Sequence, residues 1–411
     1  MSWSWKVGGA LAASVALAGC GSDLSSGTPE ANDATANISV PGISAGKSFS
    51  FDLGTVVNGN YYLTDRNNKA VDVVDTSTLA FSQIIPTGAN AYAGVGPSNA
   101  TSGPNGVNGI TGTSLLYTGD VNNVRIIDTA SNKVVKSIQV GTGGFRADEG
   151  CYDADHNLYM IAIPDADVPY AAIINTNTQT LVSKIIWVDT DGTTPAGGNE
   201  QCQYDHGSSS FLVNNDGTAA NPRGEVDVIP VASIMAIPPG ASANVFSLAG
   251  VKRFPLGNCD PTGLDLGPGA EMASECRQGN KGDPLTTLIL NRNTGQIIAT
   301  VPFGGGDQLA YDAGTNSYYV AASRWHTSGV NDQGGGCSAT NLCAPTLGVI
   351  DAATHTLKRK IATGNNAHSV AVDPVHELAF VPYSSSTNPA GCATCAANGF
   401  VNGGISVFSV Q

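Results

Sequence analysis

Short apolar runs broken by Asp, Asn and Gly recur along the chain, and no long stretch keeps the apolar spacing of a helix. The runs fall into a repeating unit. A polar residue opens an inner strand of four mostly apolar residues and an Asp; a turn and an aromatic or aliphatic strand follow. A loop then leads to another strand ending in Asp or Asn, with Thr or Ser three residues on: Asp75 with Thr78, Asp128 with Ser131, Asn175 with Thr178, Asn291 with Thr294, Asp351 with Thr354. Such a pair is hairpin chemistry, because the carboxylate or amide caps the turn. The opening polar slot holds Asn105, Asp148, Glu200, Asp307 and His368, each 11 residues before Leu116, Tyr159, Phe211, Tyr318 and Ala379. Repeats of this length built from short strands predict an all-β closed array, with the slot residues ringing its axis.

The unit repeats seven times, the first copy beginning near Tyr61 and the others led by Asn105, Asp148, Glu200, Asp260, Asp307 and His368. Between Asn175 and Asn291 the spacing doubles around a degenerate copy, Gly224–Ser233, in which Pro230 replaces the Asp and predicts an edge or irregular strand. The final copy lacks its last strand. Ser48–Gly54 is expected either to supply it, closing the ring through the two chain ends, or to be the first unit's own inner strand.

Three stretches, NNVRIIDTASNKVVKSIQVG, LGVIDAATHTLKRKIATG and NAHSVAVDPVHELAFVPYSS, resemble the YVTN-type β-propeller family. The resemblance covers nearly everything after residue 55 and implies a seven-bladed β-propeller over residues 48–411. It is specific for fold and weak for function, since the family embraces binding proteins, periplasmic proteins and lactonase relatives.

The first residues read differently. Lys6 precedes an apolar run from Val7 to Ala18, too short to span a bilayer but suited to a signal-peptide core. Leu17-Ala18-Gly19-Cys20 resembles the bacterial lipoprotein signal, which implies removal of residues 1–19 and acylation of Cys20. Gly21-Ser22 lacks the Asp of inner-membrane retention, so the resemblance implies a lipid anchor in the outer membrane of a bacterial envelope, the domain facing the periplasm or the exterior. Residues 21–47, rich in Ser, Gly, Ala, Asn and Asp, predict a flexible tether.

With 33 acidic against 19 basic residues the net charge is −14, which argues against nucleic acid and against charge-driven docking on anionic lipid. Removing Cys20 from the nine cysteines leaves eight, an even set in an oxidising compartment. Proximity pairs Cys337–Cys343, Cys392–Cys395 and Cys259–Cys276, leaving Cys151 with Cys202. Cys392 and Cys395 also spell a CxxC that redox or metal chemistry uses, but with no following His and no second CxxC a loop staple is favoured.

The slot residues are expected to crowd one end of the central channel: Asn105, Asp148 or its neighbour Glu149, Glu200, Asp260, Asp307 and His368. Converging carboxylates must protonate or share a cation. Oxygen ligands on rigid strands make Asp148, Glu149, Glu200, Asp260 and Asp307 candidate ligands of a divalent ion, Ca2+ in preference to Mg2+. The second-to-third-strand loops, Pro164–Tyr170, Asn215–Gly224, Arg324–Pro345 and Ser384–Gly403, are expected on the same face, rimming a ligand site with Asn105, Arg146, Trp325 and His326. His368 is the candidate base, with Glu200 and Asp307 beside it and Arg146 or Arg324 as oxyanion partner; His156, His206, His355 and His376 fall in turns elsewhere.

The function expected is binding of a small molecule with a divalent cation, extended by the lactonase resemblance to a metal-dependent hydrolase. The gluconolactonase-type propellers hold such a cation, yet are mostly six-bladed and share no mapped motif beyond Asp148-Glu149-Gly150. The alternatives are a non-catalytic scaffold for an envelope protein and a metal-dependent lyase similar to streptogramin lyase. A monomer is expected in each case.

Overall fold

In the computed structural model, residues 25–43, 46–86, 92–277, 280–332, 334, 336–387 and 390–410 are described. The expected signal segment and Cys20 lie outside them. Among the described residues, no helix is long and apolar enough to cross a membrane.

The described strands form seven sheets around one axis, each built on the expected antiparallel unit of four strands. The inner strands are Phe51–Val57, Val107–Gly109, Gly150–Asp153, Asn199–Asp205, Pro261–Leu266, Leu309–Asp312 and Ala371–Asp373, in blades one to seven. The chain is a seven-bladed β-propeller. Each repeated Asp or Asn does what its turn requires. Asp75 Oδ1 accepts from the backbone N–H groups of Ser77 and Thr78 at 3.0 and 2.9 Å, and Asp351 Oδ1 from those of Ala353 and Thr354 at 2.8 and 2.9 Å. A left-handed residue then ends each turn, Leu79 at φ 57° and His355 at φ 54°.

The cores lie between blades, where the aromatic residues of the second strands interleave. Tyr61 stacks on Phe380 with centroids 4.7 Å apart, and Tyr117 meets Tyr159 at 5.1 Å. The inner strands make room for these rings with glycine: a Cβ on Gly54 would lie 2.4 Å from the Tyr61 hydroxyl, and one on Gly150 2.2 Å from that of Tyr159. Side-chain volume is thereby moved out of the channel wall and into the inter-blade core.

The two chain ends close the ring as expected, but of the two alternatives for Ser48–Gly54 the second holds. The outer strand of blade seven is Ala36–Ile38, pairing with Gly404–Ser409 in the register Ala36↔Val407 to Ile38↔Ile405. Ser48–Gly54 does not close the ring; Phe51–Val57 is the inner strand of blade one. The closing strand therefore comes from within the stretch whose composition suggests a tether, and Glu30 and Asp33 further fasten that stretch to Arg359, at 2.7 and 2.6 Å. Pro230 is also not on an edge strand. It ends Glu225–Pro230, which pairs on both sides; the ladder to Lys252–Pro255 stops at Val228, so the absent N–H of Pro230 is not needed. The doubled spacing holds blade four, the degenerate copy, whose third strand ends in Pro230 where the others carry Asp or Asn; between that strand and Lys252–Pro255 an insertion contains the helix Val231–Met235 and Ser242–Asn244, which adds in parallel to the outer strand of blade three.

All four expected disulfides form. Cys151–Cys202 joins the inner strands of blades three and four. Each of its cysteines lies two residues beyond an acid, Glu149 or Glu200, so the staple fixes the spacing of the two strands that carry them.

Candidate functional site at the acidic end of the channel

The strand that begins each blade enters the channel from one face, and the polar slot delivers its side chain there. The site expectation separates at this point into residues that are committed and residues that are not.

Asn105 is fully buried and spent: its Nδ2 donates to the Ser102 and Ala147 carbonyls at 3.0 and 3.1 Å, and its Oδ1 accepts from Arg66 Nη2 at 2.6 Å. It holds loops together and offers nothing to a ligand. Asp148 is paired with Arg146 at 2.7 Å, and the same guanidinium reaches Asp165 at 2.8 Å. Asp260 is paired with Arg223 at 2.9 Å. These two carboxylates already have cations, so the expected set of five metal ligands narrows.

Glu149, Glu200 and Asp307 remain, each with a carboxylate oxygen within 4.8 Å of the others. Glu149 is the residue that turns inward, opposite to its neighbour Asp148. It is 4% exposed, and its Oε2 is buried with no hydrogen-bond partner among the described residues. Burial, reinforced by Asp148, Asp307 and Glu200, holds its carboxyl well above the usual range. Glu200 is pushed up to about 8, by burial first and by Asp216 next, against the opposing pull of Arg277. Asp216 is pushed up to about 6, again mainly by burial. Arg277 stands 3.9 Å from Glu200 and 3.5 Å from Asp216, within ion-pair range. The three acids repel across a narrow gap without enough cationic charge to quiet them.

His368 is in the funnel but off to one side. Its Nδ1 donates to the Asn366 carbonyl at 2.7 Å, its ring stacks on Phe51 at 4.7 Å, and its Nε2 lies 3.9 Å from Asp52. Arg324 faces the acids, with Asp307, Glu275 and Glu200 within electrostatic reach, and its Nη1 is buried with no partner. Trp325 and His326 correct the expectation of a ligand-binding rim. Trp325 is fully buried against Phe303 at 4.8 Å, and His326 sits beneath the loop with Nε2 3.6 Å from Cys343 Sγ. An indole directly after a strand finds an apolar inter-blade core nearer than the loop surface. His156 and His376 cap the turns of Asp153 and Asp373, while His206 and His355 pair with Asp155 and Glu271.

Residues of the site missed in the sequence include Asp52, Arg66, Asp216, Arg223 and Arg277. Asp52 is the slot residue of blade one, and Arg66 meets it at 2.7 Å. The blade-one hairpin turns through Asn58-Gly59, two residues shorter than in blade three, where Tyr152 opposes Tyr159; here Val56 opposes Tyr61. The slot therefore stands nine rather than eleven residues before the aromatic, and a search allowing a two-residue Asn-Gly turn would have found it.

The fold and this polar funnel define the class, a seven-bladed propeller with a charged channel end. Structural comparison agrees with the class. The chain is similar to a Kuenenia stuttgartiensis hydrazine synthase structure (TM-score 0.61, 13% identity, 90% of this chain and 99% of that one). It is also similar to the WD40 propeller domain of Doa1 (TM-score 0.55, 10% identity, 92% and 97%) and to U3-55K (TM-score 0.57, 11% identity, 86% and 92%). At such identities the likeness is one of fold alone. No family model and no curated protein matches the chain, so the YVTN-type and lactonase resemblances rest on the motif stretches themselves.

Proposed function

We propose that this propeller is a lipid-anchored, extracytoplasmic binding protein that holds a divalent cation on Glu149, Glu200 and Asp307 and takes a small molecule against it. The observation that carries the reading is the buried, partnerless Oε2 of Glu149 inside a gap shared with two other carboxylates. A group left in that state costs several kcal/mol unless it is protonated or meets a cation. Oxygens up to 4.8 Å apart suit Ca2+, whose opposed ligands stand about 4.6–5.2 Å apart, better than Mg2+, whose opposed ligands stand about 4.0–4.2 Å apart. When bound, the ion would supply Lewis acidity at the ligand. Arg324, within electrostatic reach of Asp307 and Glu200, would be the partner for an anionic oxygen of that ligand.

The hydrolase reading adds His368 as base. Its Nε2 looks toward Asp52 rather than toward the three acids, so binding is the better supported half of the expectation. The scaffold reading draws on the mouth, where two disulfides staple the longest loops. Calorimetric titration with Ca2+ and thermal melts with and without EDTA separate the two. Heat of binding and a chelator-induced fall in Tm, both lost in Glu149→Gln, are expected. A protein that shows neither has no cation site, and the scaffold reading then stands.

A further inference from the structure

The opposite end of the channel is built from different chemistry. There the inner hairpin turns of blades one and two and the inner strands of blades three and four surround a cavity of about 680 Å3. Its polar lining is made of hydroxyls and amides, from Thr55, Asn58, Asn108, Thr111, Gln201 and Gln203, with the ring of Tyr152; no Asp, Glu, Lys or Arg lines it. Three of the amides are fixed at one end only. Asn108 Oδ1 accepts from the Tyr159 hydroxyl at 2.9 Å, Gln201 Oε1 from the Leu264 N–H at 2.7 Å, and Gln203 Nε2 donates to the Leu264 carbonyl at 3.2 Å. Among the described residues the other halves, Asn108 Nδ2, Gln201 Nε2 and Gln203 Oε1, have no hydrogen-bond partner. The wall thus presents two held donors and a held acceptor beside an aromatic face.

We propose that this mouth is a binding site for a neutral saccharide. A hydroxyl both donates and accepts, so neighbouring hydroxyls of one sugar ring satisfy the two amide donors and the amide acceptor together. The C–H face of a pyranose covers an aromatic ring, while a cavity with no ionic lining gives nothing to a charged ligand. The volume lies within the range of small-ligand pockets and admits a disaccharide. Because each amide is anchored to the wall, little side-chain freedom is lost on binding.

Saturation-transfer NMR on the full chain, with maltose, cellobiose, lactose and N,N′-diacetylchitobiose as probes at millimolar concentration, tests the assignment. Transfer to at least one of these is expected, unchanged by EDTA, which separates this site from the cation reading. Gln203→Leu removes the acceptor and is expected to weaken binding about fivefold, the loss typical of one neutral hydrogen bond; Tyr152→Leu is expected to weaken it more. Thermal melts confirm that both variants fold, and should one not, Thr111→Val replaces it. The proposal is overturned by absence of transfer to all four sugars, by transfer that the folded variants leave intact, or by transfer only to a neutral blocked tripeptide run alongside.

Discussion

The two ends of one channel are lined by the same seven strands, yet they solve the problem of a polar axis in opposite ways. At the slot end, carboxylates outnumber the guanidiniums that reach them, and Glu149, Glu200 and Asp216 are held above the usual carboxylate range. At the hairpin end, the amides of Asn108, Gln201 and Gln203 are each held to the wall by one half and present the other half to the cavity. A water-filled channel needs only the second arrangement. Burying acids against one another opposes folding, so the slot end carries a cost that packing does not require. The difference teaches where ligand chemistry should be sought, and of what kind.

The largest break in this comparison is expected at Arg66. Its side chain is 4% exposed and holds Asp52 and Asn105 together. Arg66→Met leaves a buried carboxylate without its cation and is expected to cost about 3–5 kcal/mol, read by denaturant unfolding at pH 7. Double replacement Asp52→Asn with Arg66→Met should recover most of that loss. If the single variant is as stable as the parent, the slot end is wetter than its geometry indicates.

The Cys151–Cys202 staple comes next. Removing it with a pair of alanines is expected to cost roughly 2–5 kcal/mol, because it closes a long loop in the unfolded chain. It should also weaken Ca2+ binding at the triad more than saccharide binding at the far mouth, since Glu149 and Glu200 each sit two residues from its cysteines. Equal weakening at both ends would show that the staple holds the channel as a whole.

A smaller effect separates the ends by pH. Folded-state values near 8 for Glu200 and near 6 for Asp216 lie above those of the unfolded chain, so the folded protein binds these protons more tightly. The stability they contribute is complete below about pH 4 and is lost as pH rises through 6 and then 8. In EDTA, Tm is expected to fall from pH 5 to pH 8.5; Ca2+ should restore it, with affinity rising over the same window as protons are displaced. Glu200→Gln should flatten the profile. A Tm that rises with pH would reverse the sign and sink the account.

How much of this was legible in the chain depends on whether a feature repeats. The Asp75 and Asp351 turns recur at similar spacing, so the blades could be read directly, and three cysteine pairs followed from proximity, leaving Cys151 with Cys202. Glu149, Glu200 and Asp307 were found because their slot recurs, although the slot could not say which carboxylates already had partners. The arginines that decide this for Asp148 and Asp260 are Arg146, just ahead of the inner strand of blade three, and Arg223, on a second-to-third-strand loop of blade four; with Arg66 and Arg277 they share no register. Ala36–Ile38 was hidden for a related reason: three residues that close a ring need only fit one edge, and their composition matches a tether. The orientation of Trp325 depended on which core lay nearest, which no local pattern encodes.

The smallest expected effect is at the neutral end, and it is the sharpest control. Gln203→Leu removes one side-chain hydrogen bond to the Leu264 carbonyl, at a site open to the channel. The loss should be about 1 kcal/mol or less. Because no Asp, Glu, His, Lys or Arg of the described residues lines that cavity, the loss should be the same at pH 7 and pH 8.5, where the effect of Glu200→Gln changes. Unfolding curves for both variants at the two pH values make the test. A pH-dependent cost for Gln203→Leu would mean that charge from the slot end reaches down the channel, and the two ends would then have to be treated as a single site.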